Sequence, residues 1–313
     1  YNAHNGENSK GLPKVVVRLL RWITGTFGPN WIKLSPNIHR IVVSSFTNET
    51  FSGYDLVIAT ATETAAYVNK ANGEKVYFVQ DFEDWGRSRE EVLDTYRMDM
   101  KKITISKWLK EIIDDVSPAE AVYIPNGIDN KVFLETIPYK NRGKHTLCTL
   151  FHWDERKGCD VALKIIYKLK EHYPDFEAFL FGAPKRESEW PEWIHYTEKA
   201  KPEEVANTMN HARVFLCTSR QEGFGLTGLE SIFCGCVLVT TDCRGIREYA
   251  SQKNAYLCGV DHEQELFESI CSAFDNEEES NSKRENCIET RTQFDANNSK
   301  KRFYEEIISN LDH

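Results

Sequence analysis

The sequence predicts an α/β protein made of two Rossmann-like halves, each a parallel sheet covered by helices. Three observations point there. Short apolar runs of strand length recur between helical patterns, and most are apolar at successive positions, as strands buried on both faces are. The alternation stops at a polar segment, 135–144, and then starts again. In the second half a glycine-rich turn joins an apolar run to a helical pattern, which is how such sheets present a ligand site at their carboxyl edge. A length of 313 residues fits two domains, and 41% hydrophobic with 28% charged residues excludes disordered, collagen-like and disulfide-scaffold chains.

In the first half, strands are expected at 38–44, 54–59, 75–79, 103–105 and 121–124. A helix is expected after Ser106, whose hydroxyl suits an N-cap. Pro125-Asn126-Gly127 closes this half with a turn. In the second half, strands are expected at 146–151, 178–181, 214–218 and 237–240. Helices are expected at 159–173, bounded by Gly158 and Pro174, at 201–211, introduced by Pro202, and from the glycine-rich turn to Gly235. A short helix at 247–251, a helix at 261–274, a charged loop at 275–285 and a helix at 299–311 complete the chain. The expected domains are 1–130 and 131–295, with helix 296–313 returning to the first. Tyr1 falls about where a first strand should already have ended, so the first domain is expected to lack that strand, through truncation or because the chain is a pared-down relative.

The net charge is −9, which argues against a general nucleic-acid binder, because phosphate contacts need a basic face. The charge is uneven: residues 1–48 carry +5 and the remainder −14. Lys14, Arg18 and Arg21 lie beside Val15, Val16, Val17, Leu19, Leu20 and Trp22. Two readings of 14–23 stand: a helix touching an anionic membrane surface, or a core-facing helix with a solvated basic face. No apolar run approaches the roughly 20 residues that span a bilayer. Nine cysteines, an odd number, all between Cys148 and Cys287, argue against a disulfide framework. Free thiols and the absence of a visible secretory signal lead to an expected cytoplasmic location, with or without peripheral membrane contact.

The most informative stretch runs from Ser219 through Glu222, Gly223, Phe224, Gly225, Leu226 and Gly228 to Glu230. Its glycines let backbone approach a ligand without Cβ obstruction. The helix that follows offers unpaired N–H groups and a positive dipole end, which suit phosphate. Glu222 in the loop can accept hydrogen bonds from sugar hydroxyls, and Glu230 inside the helix can hold a ribose diol.

The stretch EGFGLTGLESIFCG, with Glu222 and Glu230 eight apart, followed by VLVTTDCRGIREY, resembles the retaining glycosyltransferases of family 4, which have the GT-B fold of two Rossmann-like domains facing each other across a cleft. Ile124 to Asp129 is similar to the family's segment at the end of its first domain, and Arg156-Lys157-Gly158 to the Lys-Gly that contacts the donor diphosphate. The segment 77–83, with Ile58-Ala59-Thr60 and Thr64-Ala65, is also similar to bacterial rhamnosyltransferases of the same fold. The resemblance implies that Glu222 contacts the donor sugar hydroxyls, with backbone N–H groups of Phe224, Gly225 and Leu226 on the sugar or diphosphate, that Glu230 holds the ribose, and that Lys157 with Arg156 neutralises the leaving diphosphate. Gly223 belongs to the same loop. Gln80-Asp81 stands where the family's first-domain histidine would, and the family's arginine before the lysine is replaced by His152 or Phe151. The implied reaction is transfer of a hexosyl or deoxyhexosyl unit from a nucleotide-diphosphate sugar to a glycan or lipid-linked acceptor, with retention and without metal or another cofactor. Two alternatives stand beside it: a catalytically inactive binding or scaffold protein, and a nucleotide-sugar epimerase of the same fold.

Other constellations are weaker. Asp81, Glu83 and Asp84 resemble an acidic metal motif but read better as lining a cleft. Glu222 and Glu230 do not read as a hydrolytic pair, since eight helical residues span about 12 Å, beyond the roughly 5–9.5 Å such pairs need. Trp85 or Trp190 can stack on a sugar.

Overall fold

The computed structural model describes residues 35–38 and 46–308. The stretch 14–23 and most of the strand expected at 38–44 lie outside them.

The first half is a parallel sheet of β1 (Leu56–Ala59), β2 (Glu74–Val79), β3 (Lys101–Thr104) and β4 (Val122–Tyr123), ordered 1-2-3-4. Three helices follow the first three strands in turn: α1 (Thr62–Val68), α2 (Arg89–Tyr96) and α3 (Lys107–Asp114). The sequence sets α2 with a capping box. Ser88 Oγ accepts from the Glu91 N–H at 3.3 Å, and Glu91 Oε2 accepts from the Ser88 N–H at 2.7 Å. Val57, Ala59, Tyr77 and Val79 bury one face with these helices, while Val76, Ile103 and Ile124 point to the other.

The second half is a six-stranded parallel sheet of β5 (Thr146–Phe151), β6 (Glu177–Gly182), β7 (Ile194–Glu198), β8 (Val214–Cys217), β9 (Val237–Thr241) and β10 (Ala255–Cys258). The order β10-β9-β8-β5-β6-β7 is the doubly wound arrangement in which the winding reverses between the first and fourth strands. Every residue of β8 and β9 is buried, which accounts for their unbroken apolar and threonine runs. Its helices are α4 (Cys159–His172), α5 (Pro202–Asn210), α6 (Leu226–Phe233), α7 (Glu263–Asp275) and α8 (Glu277–Gln293). The expected α/β class with two Rossmann-like sheets is what the chain adopts.

The charged loop expected at 275–285 is instead mostly the start of α8. Asn276 caps it, its side chain accepting from the Glu279 N–H at 3.1 Å, and Glu277, Glu278 and Glu279 favour the positive end of the helix. The buried face of α8 is Ser280, Lys283, Cys287 and Thr290, so no apolar stripe marks it. Helices α1 and α2 and strands β7 and β10 are further elements absent from those expected. Trp190 is buried edge-on against Phe151, which excludes it from stacking on a sugar.

The chain crosses between the halves twice at one place. The Ile128 N–H donates to the Phe294 carbonyl at 2.8 Å, and the Ala296 N–H returns a bond to the Ile128 carbonyl at 3.0 Å. A Cβ on Gly127 would lie 2.6 Å from the Ala296 Cα, so only glycine lets the strands run this close. After the return, α9 (Ala296–Ile308) packs on the open face of the first sheet. Phe303 meets Phe78 at 5.1 Å, Arg302 donates to the Tyr123 carbonyl at 2.7 Å, and Lys101 pairs with Glu306.

Candidate active site

Where winding reverses in an open sheet, two loops diverge and leave a crevice. In the second half these are the loop after β5, carrying Arg156, Lys157 and Gly158, and the loop after β8, running from Thr218 to Gly225. Two features hold the first loop in place. Gly158 has φ +61°, and a Cβ on it would strike the Thr218 carbonyl at 2.1 Å. Thr218 Oγ1 donates to the Lys157 carbonyl at 3.1 Å. Arg220 ties the loops further, its N–H donating to the Arg156 carbonyl at 2.7 Å and its side chain pairing with Asp160 and Asp261.

The Lys157 ammonium lies 2.7 Å from Glu222 Oε1, which also accepts from the Ser219 hydroxyl at 2.7 Å. Burial lowers the Lys157 pKa, but the charge and hydrogen bond of Glu222 outweigh it and the net displacement is upward. Gly225, with φ +83°, starts α6, leaving the first N–H groups of that helix open at the edge of the crevice. Tyr249 donates to the Gly225 carbonyl at 2.6 Å. Phe224 is buried against Tyr249 and Phe294, so only its backbone remains for the loop, whereas Leu226 is exposed. Glu230 lies in the fifth position of α6, and its carboxyl has no hydrogen-bonding or ionic partner among the described residues. Burial alone pushes its pKa to about 7.

The first half comes up to this loop directly. A Cβ on Gly223 would meet the Gln80 carbonyl at 2.2 Å and Asp81 Cα at 3.1 Å. Asp81 accepts from the Phe82 N–H at 2.9 Å. Burial chiefly, with the Glu222 charge adding, raises its pKa to about 6 against that hydrogen bond and the opposing charges of Arg156 and Lys157. Glu83 Oε2 accepts the Thr62 N–H at 2.7 Å and so caps α1. No group of three or more metal-ligating side chains occurs among the described residues. Arg156 is held by Asp154, with Nη2 to Oδ2 at 2.6 Å, and its guanidinium lies 4.0 Å from the Trp85 ring centre. His152 accepts the Asp154 N–H at 2.9 Å.

The structure thus brings Asp81, Lys157, Glu222, Gly223 and Gly225 to one crevice, with Arg156 alongside. Sequence reading placed Ser219 in the loop without its role of orienting Glu222, and it missed Trp108 and Glu248. Trp108 donates its indole N–H to the Gly223 carbonyl at 3.1 Å, and Glu248 Oε2 accepts from the Tyr123 hydroxyl at 2.7 Å. The partners of Trp108 and Glu248 are more than 100 residues away, so no local spacing marks them.

A doubly wound second half, with a glycine-rich loop and a paired Lys and Glu at its switch point, thus faces a first half built on its own parallel sheet. Residues 144–276, somewhat under half of the chain, match the family model described as Glycosyl transferases group 1. The chain is similar to a subunit of the human phosphatidylinositol N-acetylglucosaminyltransferase, with 26% identity over 152 residues, covering 46% of this chain and 31% of that protein. It is also similar to an uncharacterized glycosyltransferase of Methanocaldococcus jannaschii, with 25% identity over 187 residues, covering 57% and 50%. The chain therefore spans a third to a half of the length of these curated relatives. Among solved structures, Anabaena HepE in complex with UDP and glucose superposes with a TM-score of 0.69 at 17% identity, covering 83% of this chain and 79% of that one. The fold is GT-B. No helix among the described residues is long and apolar enough to cross a membrane.

Proposed function

We propose that this chain transfers a sugar from a nucleotide-diphosphate sugar to a glycan or lipid-linked acceptor, with retention of anomeric configuration and without a metal. The observation that carries the reading is the Lys157–Glu222 pair at 2.7 Å, set at the switch point beside the start of α6. HepE, of similar fold, is described with UDP and glucose bound, which supports a UDP-sugar donor. In this reading the diphosphate lies against Lys157 and the open N–H groups at the start of α6. Negative charge grows there as the glycosidic bond breaks, and fixed positive groups stabilise it without reorganisation. Glu222, oriented by Ser219 and Lys157, takes the donor sugar hydroxyls, and the unpartnered Glu230 takes the ribose diol. Asp81 faces the reacting sugar from the first domain. The domains proposed are 1–130 and 131–295, with α9 completing the first. The family-4 and rhamnosyl-like likenesses remain part of this reading, the second resting on segment 77–83.

A second reading, a nucleotide-sugar-binding protein without turnover, is favoured by one observation: Arg156 is already engaged by Asp154 and Trp85. Turnover separates the two. With a panel of nucleotide sugars, Glu222→Gln and Lys157→Ala are each expected to lower kcat/KM by about 100-fold or more. Undiminished transfer in both would remove the assignment. Binding of UDP by the wild type with no transfer to any acceptor would select the second reading.

A further inference from the structure

The first turn of α3 is completed by the other half of the molecule. Ser106 occupies its N-cap position with extended backbone, φ −142° and ψ 151°, yet its hydroxyl caps nothing and is buried without a hydrogen-bond partner. The Lys107 N–H, one of the donors a helix start leaves open, goes to Glu248 Oε1 at 2.5 Å. Glu248 Oε2 takes the Tyr123 hydroxyl of β4 at 2.7 Å. Both oxygens of a carboxylate from the second half, on the 3-10 turn Arg244–Glu248, therefore serve the first half. The next residue of α3, Trp108, reaches the other way and donates to the Gly223 carbonyl at 3.1 Å. Gly245, on the same turn as Glu248, lies so near the Glu222 carbonyl that a Cβ would come within 2.5 Å of it. One helix start thus grips the loop carrying Glu222 directly through Trp108 and from behind through Glu248.

We infer that Glu248 and Trp108 are positioning residues for the transfer reaction, an inference that rests on the function proposed above. By joining α3 to the second half they fix loop 222–225 in its working geometry. A carboxylate at a helix start gains from the hydrogen bond and from the dipole together. Ser106 supplies no such cap from within its own half, and the helix start is completed by the other half instead. The loop geometry is thereby tied to the approach of the two halves. Small displacements of groups that orient a substrate cost far more in rate than in binding.

The test compares the wild-type chain with Glu248→Ala, Glu248→Gln and Trp108→Phe, each first checked for native far-UV circular dichroism. Amide hydrogen exchange in segment 221–226 is expected to be about tenfold faster in Glu248→Ala and Trp108→Phe. Glu248→Gln, whose amide oxygen still accepts from Lys107, is expected to recover most of the protection. On the same proteins, kcat with a UDP-sugar is expected to fall about tenfold in the first two variants while the UDP dissociation constant moves less than about threefold. Unchanged exchange in both would overturn the inference whatever the activity. Faster exchange with undiminished kcat would overturn the positioning role. If the wild type transfers no sugar at all, the function fails, and the exchange result alone still decides whether Glu248 and Trp108 hold the loop.

Discussion

Asp81 shows how a single residue reports on the cleft. It sits against Gly223 of the other half, and burial raises its pKa from 3.8 to about 6. In the unfolded chain the group ionises near its ordinary value, so between those two values the folded state binds more protons than the unfolded one. Stability is therefore lost as pH rises through this window and regained as pH falls. Asp81→Asn removes the ionised form and is expected to stabilise the protein at pH 7 by about 1–2 kcal/mol. The gain should shrink steadily toward pH 4, as measured by urea denaturation across that range. A gain that does not depend on pH would mean that the carboxylate is well solvated in the cleft.

At the scale of the element, the loops depend on where a left-handed backbone meets a neighbour. Gly158 and Gly86 both have positive φ, +61° and +81°, but a Cβ on Gly86 meets nothing within 4 Å, whereas one on Gly158 meets the Thr218 carbonyl at 2.1 Å. Gly86→Ala should cost about 1 kcal/mol, the strain of the conformation alone, and Gly158→Ala at least about 2–3 kcal/mol, because backbone must also move. Denaturation midpoints of the two variants check this, and equal losses would refute the packing argument. Since the same shift moves Lys157, UDP binding should weaken in Gly158→Ala and stay level in Gly86→Ala. Element α8 makes a different point. Its identity comes from the Asn276 cap and an acidic first turn rather than from an apolar stripe, since the face it buries is polar and thiol.

For the whole molecule, α9 is a helix that leaves the second half to cover the first. A chain ended after Asp295 would expose Val76, Phe78 and Ile103. Calorimetry is expected to show the first half melting earlier, while UDP affinity stays within about threefold because the residues proposed to hold it lie elsewhere. A loss of UDP binding would show that the first half shapes the donor crevice. Lys157 entered only through the family resemblance, whereas the sequence by itself determined the alternation of buried strands and helices, the restart after 135–144, and the glycine-rich turn with Glu222 and Glu230. These are signals of period, burial and local turn chemistry, carried by neighbours along the chain. Only the tertiary structure decided that Lys157 and Glu222, 65 residues apart, form one pair. It alone showed that Arg156 is taken up by Asp154 and Trp85, and that Glu248 completes a helix 141 residues before it. Those contacts arise where separate elements close on one another, and no spacing in the chain encodes which side chains will then meet.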